Sequence, residues 1–205
     1  TKDLIETTGQ KAVFYQAELT NKESLKGVVK GCLDAYGKID ILVNNAGTIR
    51  RAPLLEYTDE DWNAVMDINL NSLYFLSQLV AKEMVEQGSG KIINIASMLT
   101  FQGGKFVPAY TASKHGVAGL TKAFANELAA KNIQINAIAP GYIETANTAA
   151  LRADESRNKD ILSRIPAEKW GTPFDVMGTV VFLASKASDY MNGHILAVDG
   201  GWLVR

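Results

Sequence analysis

The sequence is poor in the residues that build disulfides and metal sites. It has one cysteine, Cys32, and two histidines, His115 and His194, in 205 residues. A single thiol cannot form a disulfide within the chain, which is typical of proteins in a reducing cytoplasm. Two histidines so far apart in sequence argue against a histidine-rich metal site and against a Ser-His-Asp triad. The sequence therefore predicts a cytoplasmic protein that holds no metal.

The chain also lacks a strong charge of one sign and a long apolar segment. Its formal net charge is -1 at pH 7, so no basic field exists to attract nucleic acid or anionic lipid. No apolar run approaches the roughly 20 residues that a membrane helix needs. Because no linker or repeat interrupts the sequence, residues 1–205 are predicted to form a single domain with a small-molecule ligand.

Apolar runs alternate regularly with helical patterns along the chain. The runs are continuous in apolar residues, as expected of parallel strands that are buried on both faces. Alternation of this kind builds βαβ units, so the predicted fold is α/β, a doubly wound parallel sheet of Rossmann-like, three-layer form. The predicted strands are Ala12–Leu19, Ile39–Val43, Lys91–Ala96, Ile133–Ala139 and Ile195–Val198, and the main predicted helices are Lys22–Tyr36, Asp59–Gln87, Ala109–Lys131 and Pro173–Ala184.

Three loops of this predicted sheet carry the unusual residues. They are Asn44–Pro53, Ser97–Pro108 and Pro140–Thr145, and each follows a predicted strand. Open parallel sheets bind ligands outside the carboxyl ends of their strands. We therefore expect these three loops to form the ligand site.

Tyr110 and Lys114 are four residues apart near the start of a predicted helix, so both side chains should lie on one face. A nearby ammonium favours the phenolate and lowers the pKa of a tyrosine, as a general acid–base near neutral pH requires. Ser97 follows the preceding strand and could hold the substrate oxygen in the same pocket. Alone, each feature has a simpler explanation, namely chance spacing for the pair and turn capping for the serine.

Two asparagine features complete the pattern. Asn44-Asn45-Ala46-Gly47 directly follows the second predicted strand, and its small residues allow close approach of a flat cofactor. Asn69 interrupts an apolar helical stretch, where asparagine is disfavoured. It either marks a local kink whose freed carbonyl holds a water molecule or faces solvent.

Together these residues resemble the pattern of the short-chain dehydrogenase/reductase family, and their order and spacing fit it across the whole chain. The resemblance implies that Tyr110 transfers the hydroxyl proton and that Ser97 orients the reacting oxygen. It implies that Lys114 binds the nicotinamide ribose and depresses the pKa of Tyr110, and that Asn69 anchors a water molecule in a proton relay. The implied cofactor-binding residues are Glu18, Leu19, Asn45, Ala46, Gly47, Tyr110, Lys114, Pro140, Gly141, Ile143 and Thr145.

Two departures from the family pattern stand out. Glu18-Leu19 stands where the family has Asp-Leu or Asp-Val at the end of a strand, which makes the adenine contact of Glu18 uncertain. The family's first strand, its Gly-rich phosphate loop and its second strand have no counterpart in this sequence. We expect that the natural polypeptide carries about 45 further residues before Thr1, so that the N-terminal βαβ portion of the fold is absent here.

Longer segments resemble the branch of the family that acts on 2-dehydro-3-deoxy-D-gluconate in uronic acid breakdown. They include Asn44–Arg51, Lys91–Gly104 and Arg164–Trp170. The resemblance implies an NAD-linked exchange between that sugar acid and its 2,5-diketo form, with NADP not excluded. Because guanidinium groups bind carboxylates well, the candidate substrate anchors are Arg50, Arg51, Arg152 and Arg164.

Other functions are also compatible with these residues. A gluconate 5-dehydrogenase or a 3-oxoacyl-carrier-protein reductase would share the same residues, and a binding protein could retain the fold without the chemistry. The family resemblance also implies a homotetramer.

Overall fold

The computed structural model describes residues 1–205 and contains one sheet of four parallel strands. The strands are β1 (Ile41–Asn44), β2 (Gly90–Ile95), β3 (Ile133–Pro140) and β4 (Ile195–Val198). They are hydrogen-bonded in the order β1-β2-β3-β4. Each neighbouring pair runs parallel, so all four carboxyl ends meet at one edge of the sheet. This arrangement confirms the predicted Rossmann-like α/β fold.

The helices are α1 (Lys2–Glu6), α2 (Lys22–Tyr36), α3 (Asp59–Met66), α4 (Ser72–Gln87), α5 (Pro108–Leu128), α6 (Ala149–Ala153), α7 (Glu155–Arg164) and α8 (Pro173–Ala184). The predicted long helix Asp59–Gln87 is divided into α3 and α4 by a π-helical turn, Asp67–Asn71. Glycines in the left-handed conformation end α2 at Gly37 and α4 at Gly88, because a residue without Cβ adopts that conformation freely. None of the helices is long and apolar enough to span a membrane.

Helices cover both faces of the sheet, as the three-layer prediction requires. On one face, α2, α4 and α5 pack against Ile92 and Ile135. On the other face, Leu183 of α8 packs against Ile93 and Ile138. Neighbouring residues of a strand point to opposite faces, so strands β2 and β3 are buried or half-buried at every position.

The predicted strand Ala12–Leu19 is wrong. The segment has no ladder partner, and Phe14 within it is 76% exposed. It is held to α2 instead, because Lys11 donates to the Ala35 carbonyl and the backbone amide of Glu18 donates to Ser24. A run with strand propensity becomes a strand only where a neighbouring strand supplies hydrogen-bond partners, and none of the four strands lies beside this one.

Candidate active site

A cleft of about 860 Å³ opens at the carboxyl ends of β1, β2 and β3. Val43, Ile95 and Pro140 line it at the ends of these three strands. The three loops that the sequence singled out supply much of the remaining lining, together with α5, α7 and α8. Parallel strands bring their carboxyl ends to one edge, and this is why segments so distant in sequence meet here.

Tyr110 and Lys114 lie one turn apart near the start of α5, and both line the cleft. Pro108 occupies the first turn of this helix, where a missing backbone N–H costs nothing. The Lys114 ammonium lies 5.5 Å from the centroid of the Tyr110 ring. It donates a 2.6 Å hydrogen bond to the carbonyl of Ile95 at the end of β2. Burial lowers the pKa of Lys114 to about 8.

The expected effect of Lys114 on the pKa of Tyr110 is not found. Burial raises the pKa of Tyr110, while hydrogen bonding with Ser97 and the positive charge of Arg51 lower it. The Lys114 ammonium donates to the Ile95 carbonyl, and no hydrogen bond joins it to the phenol. The positive charge of Arg51 lowers the pKa of Tyr110, but burial has the larger, opposite effect.

Ser97 lies directly after β2 and both lines the cleft and caps a short helical turn. Its hydroxyl accepts a hydrogen bond from the amide of Leu99, and the Thr100 hydroxyl accepts one from the amide of Ser97. The two explanations that the sequence allowed, a turn cap and a site hydroxyl, are compatible. The cap fixes the position of the Ser97 side chain at the edge of the cleft.

Asn69 is almost fully buried in the π-helical turn, so the solvent-facing alternative is wrong. Its side-chain oxygen accepts from the amide of Thr48, and its side-chain nitrogen donates to the carbonyl of Thr48 and to the Ser113 hydroxyl. Ser113 in turn donates to the carbonyl of Tyr110. This chain of hydrogen bonds connects the loop after β1 to the turn of α5 that carries Tyr110. π-helical turns of this kind are frequent at functional sites.

The four residues Asn44–Gly47 have different environments. Asn45 and Gly47 line the cleft, whereas Ala46 does not. Asn44 is buried beneath the loop, where its side chain donates to Ser77 and to Asn94 across the neighbouring strand. Asn44 thus fixes the position of the loop from below, and Asn45 and Gly47 face the ligand space.

Pro140, Gly141, Ile143 and Thr145 all line the cleft. A Cβ atom on Gly141 would lie 2.6 Å from the Cα of Asp199, so the close approach of these two segments requires glycine. Beyond Gly141, the chain is held by backbone hydrogen bonds between the segments around Ile143 and Gly171.

Some predicted site residues do not reach the cleft. Glu18 and Leu19 lie outside it, and the Glu18 carboxylate accepts hydrogen bonds from Thr20. Arg50 pairs with Asp61, with 3.4 Å between Nε and Oδ1. Arg152 donates to the carbonyl of Thr145 and so braces the loop from outside. The structure therefore brings only two of the four proposed anchors, Arg51 and Arg164, to the cleft.

Sequence reasoning missed several residues of the cleft, above all Tyr142, Arg157 and Asp160. Tyr142 lies inside the Pro140–Thr145 loop that was singled out, but it was given no role. Arg157, Asp160, Ile161 and Arg164 have the spacing i, i+3, i+4, i+7 of one helix face, which is a signal the sequence does contain.

The cleft has features that suit a nicotinamide dinucleotide. Lys114 is 5% exposed, and its ammonium has three donors but a single hydrogen-bond partner, the Ile95 carbonyl. A buried ammonium with unused donors fits the paired hydroxyls of a ribose. The cleft volume of about 860 Å³ is also within the usual range of ligand sites. No cluster of three or more potential metal ligands is present in the chain.

Comparison with known proteins identifies the family. A family model described as enoyl-(acyl carrier protein) reductase matches residues 1–203. The 2-dehydro-3-deoxy-D-gluconate 5-dehydrogenase of Bacillus subtilis (strain 168) is 57% identical over 205 residues, which are 100% of this chain and 80% of that protein. The chain belongs to the short-chain dehydrogenase/reductase family and is an NAD(P)-dependent oxidoreductase.

Solved structures agree with this assignment. A protein from Agrobacterium tumefaciens, provisionally named 2-deoxy-D-gluconate 3-dehydrogenase and crystallised with NADP, matches with a TM-score of 0.90 and 54% identity. That match covers 99% of this chain and 81% of the other. A provisionally named NAD(P)-dependent gluconate 5-dehydrogenase from Beutenbergia cavernae, with NADP at low occupancy, has a TM-score of 0.95 and 49% identity, covering 100% and 82% of the two chains.

Proposed function

We propose that this protein uses NAD(H) to interconvert a secondary alcohol and a ketone of a deoxy sugar acid. The substrate pair to test first is 2-dehydro-3-deoxy-D-gluconate and its 2,5-diketo form. The observation that carries the proposal is that Ser97, Tyr110 and Lys114, which come from two elements, line one cleft at the sheet edge. A binding protein without catalytic activity has no need of all three.

The proton steps are assigned to Tyr110 and Ser97. The Tyr110 hydroxyl gives its proton to the substrate oxygen during reduction and takes it back during oxidation. The Ser97 hydroxyl donates a hydrogen bond to the same oxygen and so holds it next to the phenol. Arg51 stabilises the phenolate electrostatically, since its charge lowers the pKa of Tyr110 against the effect of burial.

Lys114 is assigned to cofactor binding. Its unused donors would hold the ribose hydroxyls of the nicotinamide nucleoside, with Asn45, Gly47, Ile143 and Thr145 along the cleft as further cofactor contacts. NAD(P), when bound, donates or accepts the hydride. We propose NAD as the physiological cofactor because of the branch resemblance. The NADP bound in two similar structures makes NADP the alternative to measure.

Asn69 is proposed to position the site and to support proton relay. Its side chain fixes Thr48 and Ser113, and Ser113 fixes the backbone of Tyr110. The π-helical turn around Asn69 also alters the regular pairing of backbone carbonyls. A carbonyl freed in this way would hold the water molecule of the relay.

The second candidate function is a gluconate 5-dehydrogenase, which the similarity to the Beutenbergia cavernae protein favours. Both reactions use the same residues and a substrate with a carboxylate. A panel of purified substrates, assayed with NAD and NADP by absorbance of the reduced cofactor, distinguishes the two. The panel also includes a 3-oxoacyl thioester, because a 3-oxoacyl-carrier-protein reductase would act on that compound instead.

The decisive test combines this assay with one substitution. Tyr110→Phe should reduce kcat by about 10²- to 10⁴-fold, the usual contribution of general acid–base catalysis, and weaken cofactor binding far less than it reduces kcat. Tyr190→Phe is the matched control, because Tyr190 is fully exposed and far from the cleft lining. If Tyr110→Phe retains wild-type kcat, or if no sugar acid is turned over with either cofactor, the proposal is wrong.

A further inference from the structure

One face of α7 is directed into the cleft. Arg157, Asp160, Ile161 and Arg164 all line it, whereas Lys159 of the same helix lines a separate groove. Ile161 is buried and anchors this face in the core, so the two arginines flank a fixed point two turns apart. The Asp154 carboxylate caps the helix by accepting from the amide of Arg157.

A third arginine, Arg51, reaches the same cleft from the loop after β1. Tyr142 lines the same cleft as the three arginines. Burial raises the pKa of Tyr142, and the positive charges of Arg157, Arg164 and Arg51 lower it. Arg164 is placed next to Tyr142 by geometry as well, because both contact the Trp202 ring, and Arg51 and Arg157 line the same cleft.

These three guanidinium groups have no carboxylate partner within the protein. The ion pairs of the structure include one arginine only, Arg50 with Asp61. Asp160, although it lies on the same helix face, forms none of them. All three side chains are exposed, so water solvates them in the free protein. An anion that binds between them would remove their mutual repulsion and accept hydrogen bonds from them.

Aromatic rings pack together beside Arg164. The Tyr142 ring packs against Trp202 and Trp170, with centroid distances of 4.7 Å and 5.3 Å. The Arg164 guanidinium lies 4.1 Å from the centroid of the Trp202 ring, which orients it by a cation–π contact. The Trp170 indole is itself fixed, because it donates a 2.7 Å hydrogen bond to Asn158 of α7.

We propose that Arg51, Arg157 and Arg164 form an anion subsite around Tyr142 that binds the substrate carboxylate and selects it over an uncharged polyol. The subsite itself follows from the unpaired arginines, whereas its assignment to a substrate carboxylate rests on the proposed function. Arg157 and Tyr142 are thereby specificity-determining residues for the reaction.

The test compares binding of D-gluconate with binding of D-glucitol, which has the same carbon chain without the carboxylate. Calorimetry on the full chain avoids dependence on turnover. Arg157→Gln and Arg164→Gln should each raise the Kd of D-gluconate about 10- to 100-fold, as expected for a charge-assisted hydrogen bond to a carboxylate, and leave the Kd of D-glucitol within about twofold. Lys159→Gln removes the same charge from the other side of α7 and should change neither value.

Two further variants separate charge from structure. Arg157→Lys should recover part of the D-gluconate affinity, because it restores the charge but not the planar pair of donors. Tyr142→Phe keeps the ring packing and should weaken D-gluconate binding only several-fold. Binding of the reduced cofactor should not change in any of these variants, which excludes a cofactor phosphate as the anion.

The subsite is disproved if Arg157→Gln and Arg164→Gln bind D-gluconate as the wild type does, or if they weaken D-gluconate and D-glucitol equally. These outcomes differ from failure of the proposed function. An enzyme that turns over no sugar acid, yet loses anion binding in Arg157→Gln, would refute the reaction and keep the subsite. An active enzyme whose D-gluconate binding does not change in these arginine variants would support the reaction and refute the subsite.

Discussion

The side chain of Asn69 makes two hydrogen bonds to the backbone of Thr48, one through each end of its amide. The side-chain oxygen accepts from the Thr48 amide at 2.8 Å, and the side-chain nitrogen donates to the Thr48 carbonyl at 2.9 Å. Thr48 lies in a loop and has no strand partner. The buried Asn69 side chain, in the π-helical turn, therefore supplies the hydrogen bonds that a neighbouring strand would otherwise make. The same nitrogen reaches Ser113 and thus the helix of Tyr110.

Asn69→Ala should lower the free energy of unfolding by about 2–4 kcal/mol, because it leaves two partly buried backbone groups of Thr48 without partners. It should also reduce kcat, since the link to the Tyr110 turn is lost. Urea unfolding and steady-state kinetics measure both effects. Asn71→Ala is the control, because the Asn71 side chain lies in the same turn but makes only a solvent-exposed hydrogen bond, to Asp67. Equal loss of stability in the two variants would contradict the assigned role.

The lowered pKa of Lys114 has a consequence for stability as a function of pH. The folded protein holds this lysine with a pKa of about 8, whereas the ordinary value is 10.5. Between these two values the unfolded chain binds more protons, so the free energy of unfolding should rise with pH. Relative to Lys114→Met, the wild type should gain about 2 kcal/mol between pH 7.5 and 9.5.

Urea unfolding of both proteins at these two pH values measures the difference. Tyr110 is present in both proteins, so its titration largely cancels when the two are compared at the same pH. A constant difference between the two proteins across this range would show that Lys114 keeps its ordinary pKa in the folded state.

Two threonines of α5 with buried hydroxyl groups should respond in opposite ways to substitution by valine. The Thr121 hydroxyl accepts a hydrogen bond from Asn94 and donates one to the Val117 carbonyl, whereas the buried Thr111 hydroxyl has no partner. Thr121→Val should cost about 1–3 kcal/mol, because it leaves a donor of Asn94 unsatisfied. Thr111→Val should be neutral or stabilising. Thermal or urea unfolding measures the change in stability of each variant. If Thr111→Val were the more destabilising of the two substitutions, this account would be refuted.

Gly141→Ala should destabilise the protein by about 1–3 kcal/mol through overpacking, because its Cβ would lie too close to the backbone of Asp199. If the end of β4 moved away to relieve this contact, the shape of the cleft would also change, because Gly141 lines it. Gly178→Ala in α8 is the matched control, since a Cβ there meets nothing within 4 Å and alanine favours the helix by about 0.5–1 kcal/mol. Denaturant unfolding should therefore show opposite signs for the two substitutions.

The catalytic roles of Ser97, Tyr110 and Lys114 stay predictions. Local patterns were nevertheless enough to predict the sheet, the three loops at its edge and the location of these three residues at one cleft. These predictions succeeded because a run of buried residues, a helix face and a strand end are properties of neighbouring residues. The strand predicted at Ala12–Leu19 failed for the opposite reason. A strand depends on partners that are remote in sequence, and its own composition cannot supply them.

The arginines show that local sequence does not decide the contacts of a single side chain either. Arg50 and Arg51 are adjacent and chemically identical, yet Arg50 pairs with Asp61 and Arg51 lines the cleft. Arg157 was overlooked, although its spacing from Arg164 places both on one helix face. Which face of α7 is turned toward the ligand was decided by the packing of Ile161 in the core.

The sequence by itself determined the class of fold, because alternating strands and helices follow from patterns along the chain, and the family resemblance indicated the residues proposed to transfer a proton. Only the tertiary structure decided which cation acts on Tyr110. Lys114, one turn away, is directed to the Ile95 carbonyl, and Arg51, far away in sequence, lies where its charge lowers the pKa of the phenol. Electrostatic interactions depend on distance in space, and that distance is set by how the strands, helices and loops pack together.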